Sequence, residues 1–212
     1  MNSETKARMA GWRVRYLACR SADELSDLYD VIRDAEGFIF RDFVRDGFLA
    51  AAFARARGLD RVRLSPDQWP DFIVTENGLD FAYEAREADR PGRRRDAEFR
   101  EIALREARGL PTVTADPSED WLTPELASAW LTTAAAAKAG KSYPVTAGLA
   151  IYLNATDYGS RTDEILGVMS PATAVAKDAF VSVWVMWRGR ALQCWADGLE
   201  RSVRDQWPED HL

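Results

Sequence analysis

Asp71 and Glu84 are the residues of this chain whose type and spacing best suit chemistry. They flank the stretch Trp69-Pro-Asp-Phe-Ile-Val-Thr-Glu-Asn-Gly-Leu-Asp-Phe-Ala-Tyr-Glu-Ala-Arg86. Asn77-Gly78 at its middle can take positive φ at both positions, as a two-residue type I′ turn requires. A hairpin centred there sets Asp71 opposite Glu84, with Arg86 two residues on along the same face. Phe72, Val74, Phe81 and Tyr83 make the other, apolar face. Facing carboxylates sit roughly 4.5–5.5 Å apart at Cβ and repel. Either a hard cation such as Mg²⁺ lies between their oxygens, or both acids splay into water and Arg86 neutralises one of them.

The elements that must hold this hairpin can be read in chain order. Residues 1–10 are polar and read as loose. From Gly11 to Arg20, Trp12, Val14, Tyr16 and Ala18 alternate with Arg13 and Arg15, which predicts a strand. Ser21-Ala-Asp-Glu24 has capping-box spacing, ahead of a helix carrying Leu25, Leu28, Tyr29 and Ile32. A longer helix is expected over Phe38–Gly58, closed by Gly58. Arg61–Leu64 is a short strand before the hairpin. A basic loop with Arg93, Arg94 and Arg95 leads into a helix from about Asp96 to Arg108, and a substrate phosphate could meet that loop. A short strand is expected at Thr112–Ala115. Thr123-Pro124-Glu125 starts a helix that runs to about Ala139, with Lys138 and Lys141 at its end, where the macrodipole favours cations. Ala147–Leu153 is a buried strand. Thr162–Val168 and Pro171–Lys177 read as short helices, and Ala179–Trp195 as a C-terminal hairpin. Asp197–Leu212 is acidic and reads as peripheral.

Composition narrows the function classes. The chain has 212 residues, 47% of them hydrophobic, with 8 tryptophans, which suits one globular domain over 1–212. No apolar run reaches the ~18 residues that a membrane span needs, and the start lacks the apolar stretch of a signal peptide. Cys19 and Cys194 lie far apart in sequence and read as reduced thiols of a cytoplasmic protein. The 1 histidine, His211, rules out His-based triads and His-rich zinc sites. Chemistry must therefore run on carboxylates, hydroxyls, tyrosine, arginine or the scarce lysines. The net charge of −6 argues against a surface coated in nucleic acid, but leaves room for a local cationic groove. No glycine-rich phosphate loop is present.

Pro70-Asp71, then Glu84-Ala85-Arg86 after a gap of 12 residues, resembles the motif of the PD-(D/E)XK nuclease superfamily, with Arg86 where the pattern has lysine. The resemblance covers about residues 36–155. It implies an α/β (α+β) fold with a mixed central sheet flanked by helices: a restriction-endonuclease-like core, with a strand–helix added before it and a hairpin after it. It implies Mg²⁺ (or Mn²⁺) held by Asp71 and Glu84, and an acid from the preceding helix, Asp46, is a further metal-ligand candidate. Arg86 takes the third catalytic position. Arginine does not give up its proton at working pH, so Arg86 could clamp a phosphate but not serve as a base. A lysine of the late helix, Lys138 or Lys141, could stand in for the missing one, and both join Arg93 and Arg94 as candidate phosphate contacts.

The expected function is a metal-dependent phosphodiesterase acting on DNA or RNA. A nuclease fold without catalysis, serving as a binding or assembly module, is the alternative, and a purely structural hairpin is a third reading. The sequence leaves the oligomeric state open, a homodimer included.

Overall fold

The reversal at Asn77-Gly78 forms as its residues require, with φ of 51° and 79° at the two positions. It joins β2 (Phe72–Glu76) to β3 (Leu79–Ala88). The strands pair antiparallel with Phe72 beside Tyr83 and Val74 beside Phe81. The computed structural model that carries this hairpin describes residues 3–36, 42–93, 95–110, 122–144, 146–155 and 161–207.

The hairpin is the inner part of a larger sheet. β1 (Arg61–Leu64) lies antiparallel on β2. On the other side β4 (Gly148–Leu153) and β5 (Ser182–Trp187) follow β3 in parallel. β6 (Arg190–Ala196) and β7 (Leu199–Glu200) complete the sheet as an antiparallel meander. Strand order is therefore sequence order, β1 to β7, in one mixed open sheet. Both parallel joins span a helix, as a crossover requires.

Helices cover both faces. α1 (Ser3–Ala18), α2 (Ala22–Glu36) and α3 (Asp42–Ala56) pack on one side. Their core holds Tyr16, Leu25, Leu49 and Phe53 against Phe72, Val74 and Tyr83. α5 (Pro124–Ala139) and α6 (Thr162–Thr173) pack on the other. Their core sets Leu131 and Met169 against Leu149, Ile151, Val183 and Val185. Alternate residues of β4 enter opposite cores: Ala150 joins the first, Leu149 and Ile151 the second. This is the expected α/β arrangement of a mixed sheet between helices. Among the described residues, no helix is long and apolar enough to cross a membrane.

The structure corrects several local expectations. Residues 3–18 are one helix, not a loose start followed by a strand. Val14, which strand alternation would bury, is 66% exposed. Met9, Tyr16 and Cys19 are buried and Trp12 half-buried, which is the spacing of a helical stripe. The helix expected over Phe38–Gly58 is described from Asp42, and residues 37–41 lie outside the described residues.

The two short helices expected around Ser170-Pro171 are one. α6 runs through Pro171, and a 3₁₀ turn over Ala174–Ala176 follows. Ser170 does not cap a helix start, because its hydroxyl donates to the Arg201 carbonyl instead. α4 (Arg95–Ala107) forms nearly where expected. An apolar stripe of Phe99, Ile102 and Ala103 is expected on it; Ile102 is half-buried, and the side chains of Phe99 and Ala103 lie outside the described residues. The strand expected at Thr112–Ala115 also falls outside the described residues.

The C-terminal segment is not peripheral as far as residue 207. It supplies β7, buries Val203 and packs Trp207 on Trp187 at 5.4 Å. The Gln206 side-chain amide clips the backbone of Gln193, accepting from its N–H at 2.6 Å and donating to its carbonyl at 2.9 Å.

Candidate functional site

The hairpin brings the two acids together as their spacing predicts. Asp71 lies just before β2, and its N–H donates to the Tyr83 carbonyl. Its carboxylate oxygen Oδ2 accepts from the Ala85 N–H at 2.8 Å, which pins the side chain across the strand pair beside Glu84. The hairpin face that carries them is not open to water, however. α5 lies over it, and Glu84 is 3% exposed. On the opposite face Phe72, Val74 and Tyr83 are buried as expected, but Phe81, nearer the tip, is 39% exposed.

A cation from α5 compensates the paired acids. Thr123 caps the helix by accepting from the Leu126 N–H at 3.3 Å, and Pro124 opens it. Ala134 and Ala135 are buried, and such small side chains let the helix approach the sheet closely. Lys138, in the last turn, is 9% exposed. Its ammonium donates to Glu84 Oε2 and lies 3.3 Å from Asp71 Oδ2. Lys138 is therefore no ordinary helix-end cation in solvent. A charge this buried is tolerated only when paired, and here it has two partners on the facing strands.

Tyr143, just past α5, borders the same group. Burial pushes its phenol pKa up, and a hydrogen bond to Glu84 adds to that, as do the charges of Glu84 and Asp71; Arg86 opposes them. Its ring packs on Phe180 at 5.3 Å.

The other candidates separate. Arg86 follows Glu84 on β3 and is exposed. Lys141 is also exposed and stands outside the Asp71–Glu84–Lys138 group. Arg93 is engaged within its own loop, 3.1 Å from Asp89 and 2.9 Å from Glu98. Arg94 lies outside the described residues.

Asp46, on α3, does not complete a three-acid set with Asp71 and Glu84. Among the described residues no group of three acids, cysteines or histidines is placed to hold a metal. Asp46 pairs instead with Arg45 at 2.9 Å. It shares with Asp71 the wall of a cavity of about 600 Å³ between α1, α3 and the loop before β2. Burial raises its pKa to about 6; Arg45 opposes the rise and Asp71 adds to it.

No family model, curated protein or solved structure matches this chain.

The group can still be tested for what its donors fit. Asp71 and Glu84 present hard oxygens converging on one point, now marked by the Lys138 ammonium. Mg²⁺ is commonly held by one or two carboxylates, with waters and substrate phosphate filling the rest. Two converging carboxylates fit that pattern without a third acid. Sequence reasoning undervalued two residues here. Lys138 carried a signal, as a lysine at the inner end of an alanine-rich helix, and Tyr143 carried none beyond standing near it. Cys19 and Cys194 are free and buried, far from this chemistry in the sequence.

Proposed function

We propose that this protein is a metal-dependent phosphodiesterase acting on nucleic acid, with Lys138 in the part its motif leaves to Arg86. One observation carries the reading: a buried lysine from a separate helix meets both motif acids. The arrangement around it supports the reading: α3, the β1–β2–β3 meander, α5 and a parallel β4 follow in the order expected of a restriction-endonuclease-like core, with α4 as an addition between β3 and α5.

In this reading Asp71 and Glu84 hold the cation, Mg²⁺ or Mn²⁺. A divalent ion so bound polarises a phosphoryl oxygen and lowers the pKa of a bound water. Lys138 orients both carboxylates and presents an ammonium to the charge that builds on the phosphate. Arg86, exposed beside Glu84, contacts a neighbouring phosphate oxygen through its planar fork. DNA and RNA are both within this chemistry.

The test is cleavage of labelled single- and double-stranded oligonucleotides with Mg²⁺ or Mn²⁺. Asp71→Ala, Glu84→Ala and Lys138→Ala are each expected to lower the rate at least 100-fold. Cleavage that survives the Asp71→Ala, Glu84→Ala double variant sinks the proposal.

A second reading has its own support. The Lys138 ammonium already bonds to both acids and offsets one of their two negative charges, so part of the compensation is present without any added ion. A nuclease fold that binds or assembles without catalysis would look the same. Melting with increasing Mn²⁺ separates the two: a rise in Tm that disappears in Asp71→Ala favours a metal site, and a flat response favours the inactive module.

A further inference from the structure

The cavity beside Asp71 has the size of a small-molecule site and a lining of mixed character. Its volume of about 600 Å³ lies within the roughly 300–1,000 Å³ that small-molecule sites span. Its charged lining is unbalanced: Asp42, Asp46, Asp67 and Asp71 against Arg13 and Arg45. The two guanidiniums differ in what holds them. Arg45 pairs with Asp46 and Asp42, at 2.9 and 3.6 Å, and Arg13 donates to the Pro66 carbonyl at 3.3 Å. A phosphate entering the cavity would meet a surplus of carboxylates, against which exposed Arg13 is the one lining cation bonded to a neutral carbonyl and not to an acid.

The remaining wall is mixed: Leu17, Phe43, Leu64, Pro70 and the Tyr16 ring are apolar, while Ser65, Gln68 and the Tyr16 hydroxyl are polar. Phe43 stands edge-on to Tyr16 at 5.6 Å. Apolar and aromatic surface beside the exposed Asp67 carboxylate, an acceptor not taken up by an arginine or lysine, suits a flat, neutral ring that carries N–H donors. A nucleobase with an exocyclic amino group is such a ring, since carboxylates accept well from the cytosine amino group.

Resting on the phosphodiesterase reading, we infer that this cavity receives one unpaired, amino-bearing nucleoside attached to the phosphate at Asp71. Asp67, on the exposed loop before β2, accepts from the amino group, and the apolar wall takes the face of the ring. A base held in a duplex is stacked, and its amino group is already paired. It cannot enter without being drawn out of the helix. The substrate class that follows is single-stranded nucleic acid or the frayed end of a duplex, with cytosine, adenine or guanine, and not thymine or uracil, at the position in the cavity.

The test compares cleavage of single-stranded and fully paired oligonucleotides in Mg²⁺, alongside binding of dCMP, dTMP and inorganic phosphate to the whole chain. Leu17→Trp fills the cavity. Asp67→Lys, on the surface, gives a second readout if the first variant does not fold. The expected result is at least a tenfold preference for single strands and dCMP binding at least tenfold tighter than dTMP or phosphate. Each variant should reduce both ratios towards one. Equal cleavage of paired and unpaired strands, or dCMP binding unchanged in both variants, overturns the inference and leaves the phosphodiesterase reading standing. Absence of cleavage, with dCMP binding intact and sensitive to Asp67→Lys, overturns the phosphodiesterase reading and keeps the pocket. Loss of both activities in the wild-type chain overturns both.

Discussion

At the scale of single residues, Lys138 is the point on which the site turns. Removing its charge leaves buried Glu84 facing half-buried Asp71 with no cation between them, and breaking a buried ion pair from one side costs about 3–5 kcal/mol. Lys138→Met is therefore expected to lose about that much stability in urea denaturation. Adding Mg²⁺ or Mn²⁺ should recover part of the loss if the acids hold a divalent ion. Asp46 gives a pH signature instead. Its carboxyl titrates near 6 in the folded chain against an ordinary value of 3.8, because burial outweighs the help of Arg45. Between those values the folded state keeps a proton that the unfolded state has released. Stability from this group is therefore present in acid, falls as pH rises through about 4 to 6, and its deficit is complete above 6. A shift of this size corresponds to about 2–3 kcal/mol. Asp46→Asn is expected to raise stability at pH 7 by up to that amount and to flatten the slope between pH 4 and 6 in denaturation series. A steeper slope in the variant would contradict the assignment.

At the scale of elements, the hairpin was the most legible part of the chain, for a physical reason. Asn77-Gly78 carries its own conformational demand, so turn and register follow locally, and with them the meeting of Asp71 and Glu84. The first helix was misread because Trp12, Val14 and Tyr16 satisfy a two-residue period over the stretch where Met9 and Cys19 would reveal the longer one. Pro171 was misread as a helix start because Ser170 before it is a good cap in isolation, whereas in the fold its hydroxyl bonds to Arg201. The cover over Glu84 was not legible, since nothing in the sequence around the hairpin records which helix lies on which face. That cover depends on how β4 docks beside β3, and here one residue has to stay small. A Cβ on Gly148 would come within 2.6 Å of Tyr83 Cδ1. Tyr83 cannot step aside, because its ring stacks on Phe72 and contacts Phe53 at 4.7 Å. Gly148→Ala is expected to cost about 1–3 kcal/mol, as overpacking of a filled core does. Its Tm should fall accordingly, while Gly140→Ala, which meets only a backbone oxygen at 3.5 Å, should fall less.

At the scale of the whole molecule, one sheet serves two cores. Tryptophans report on both: Trp12 and Trp184 pack against the α1–α3 side, Trp187 and Trp195 belong to the other. Because alternate residues of β4 and β5 enter opposite cores, neither side can open without exposing the other. Unfolding followed by tryptophan fluorescence and by far-ultraviolet circular dichroism is expected to give coincident transitions; two separated midpoints would show that the layers come apart independently. The α/β class was legible at this scale from the interleaving of elements, whereas the sequential strand order and the Gln206 clip on β6 were not, since both depend on long-range pairing.

The sequence distances within the site add a consequence in time. The two acids belong to neighbouring strands of a tight reversal, while their shared cation lies 54 and 67 residues away along the chain. Short loops close sooner and at less entropic cost than long ones. The carboxylates are therefore expected to meet first during folding, mutually repelling, with the lysine arriving when its helix settles onto the sheet; φ-values higher in the hairpin than in α5 would bear this order out. Whatever the assembled group does is withheld from a half-built chain.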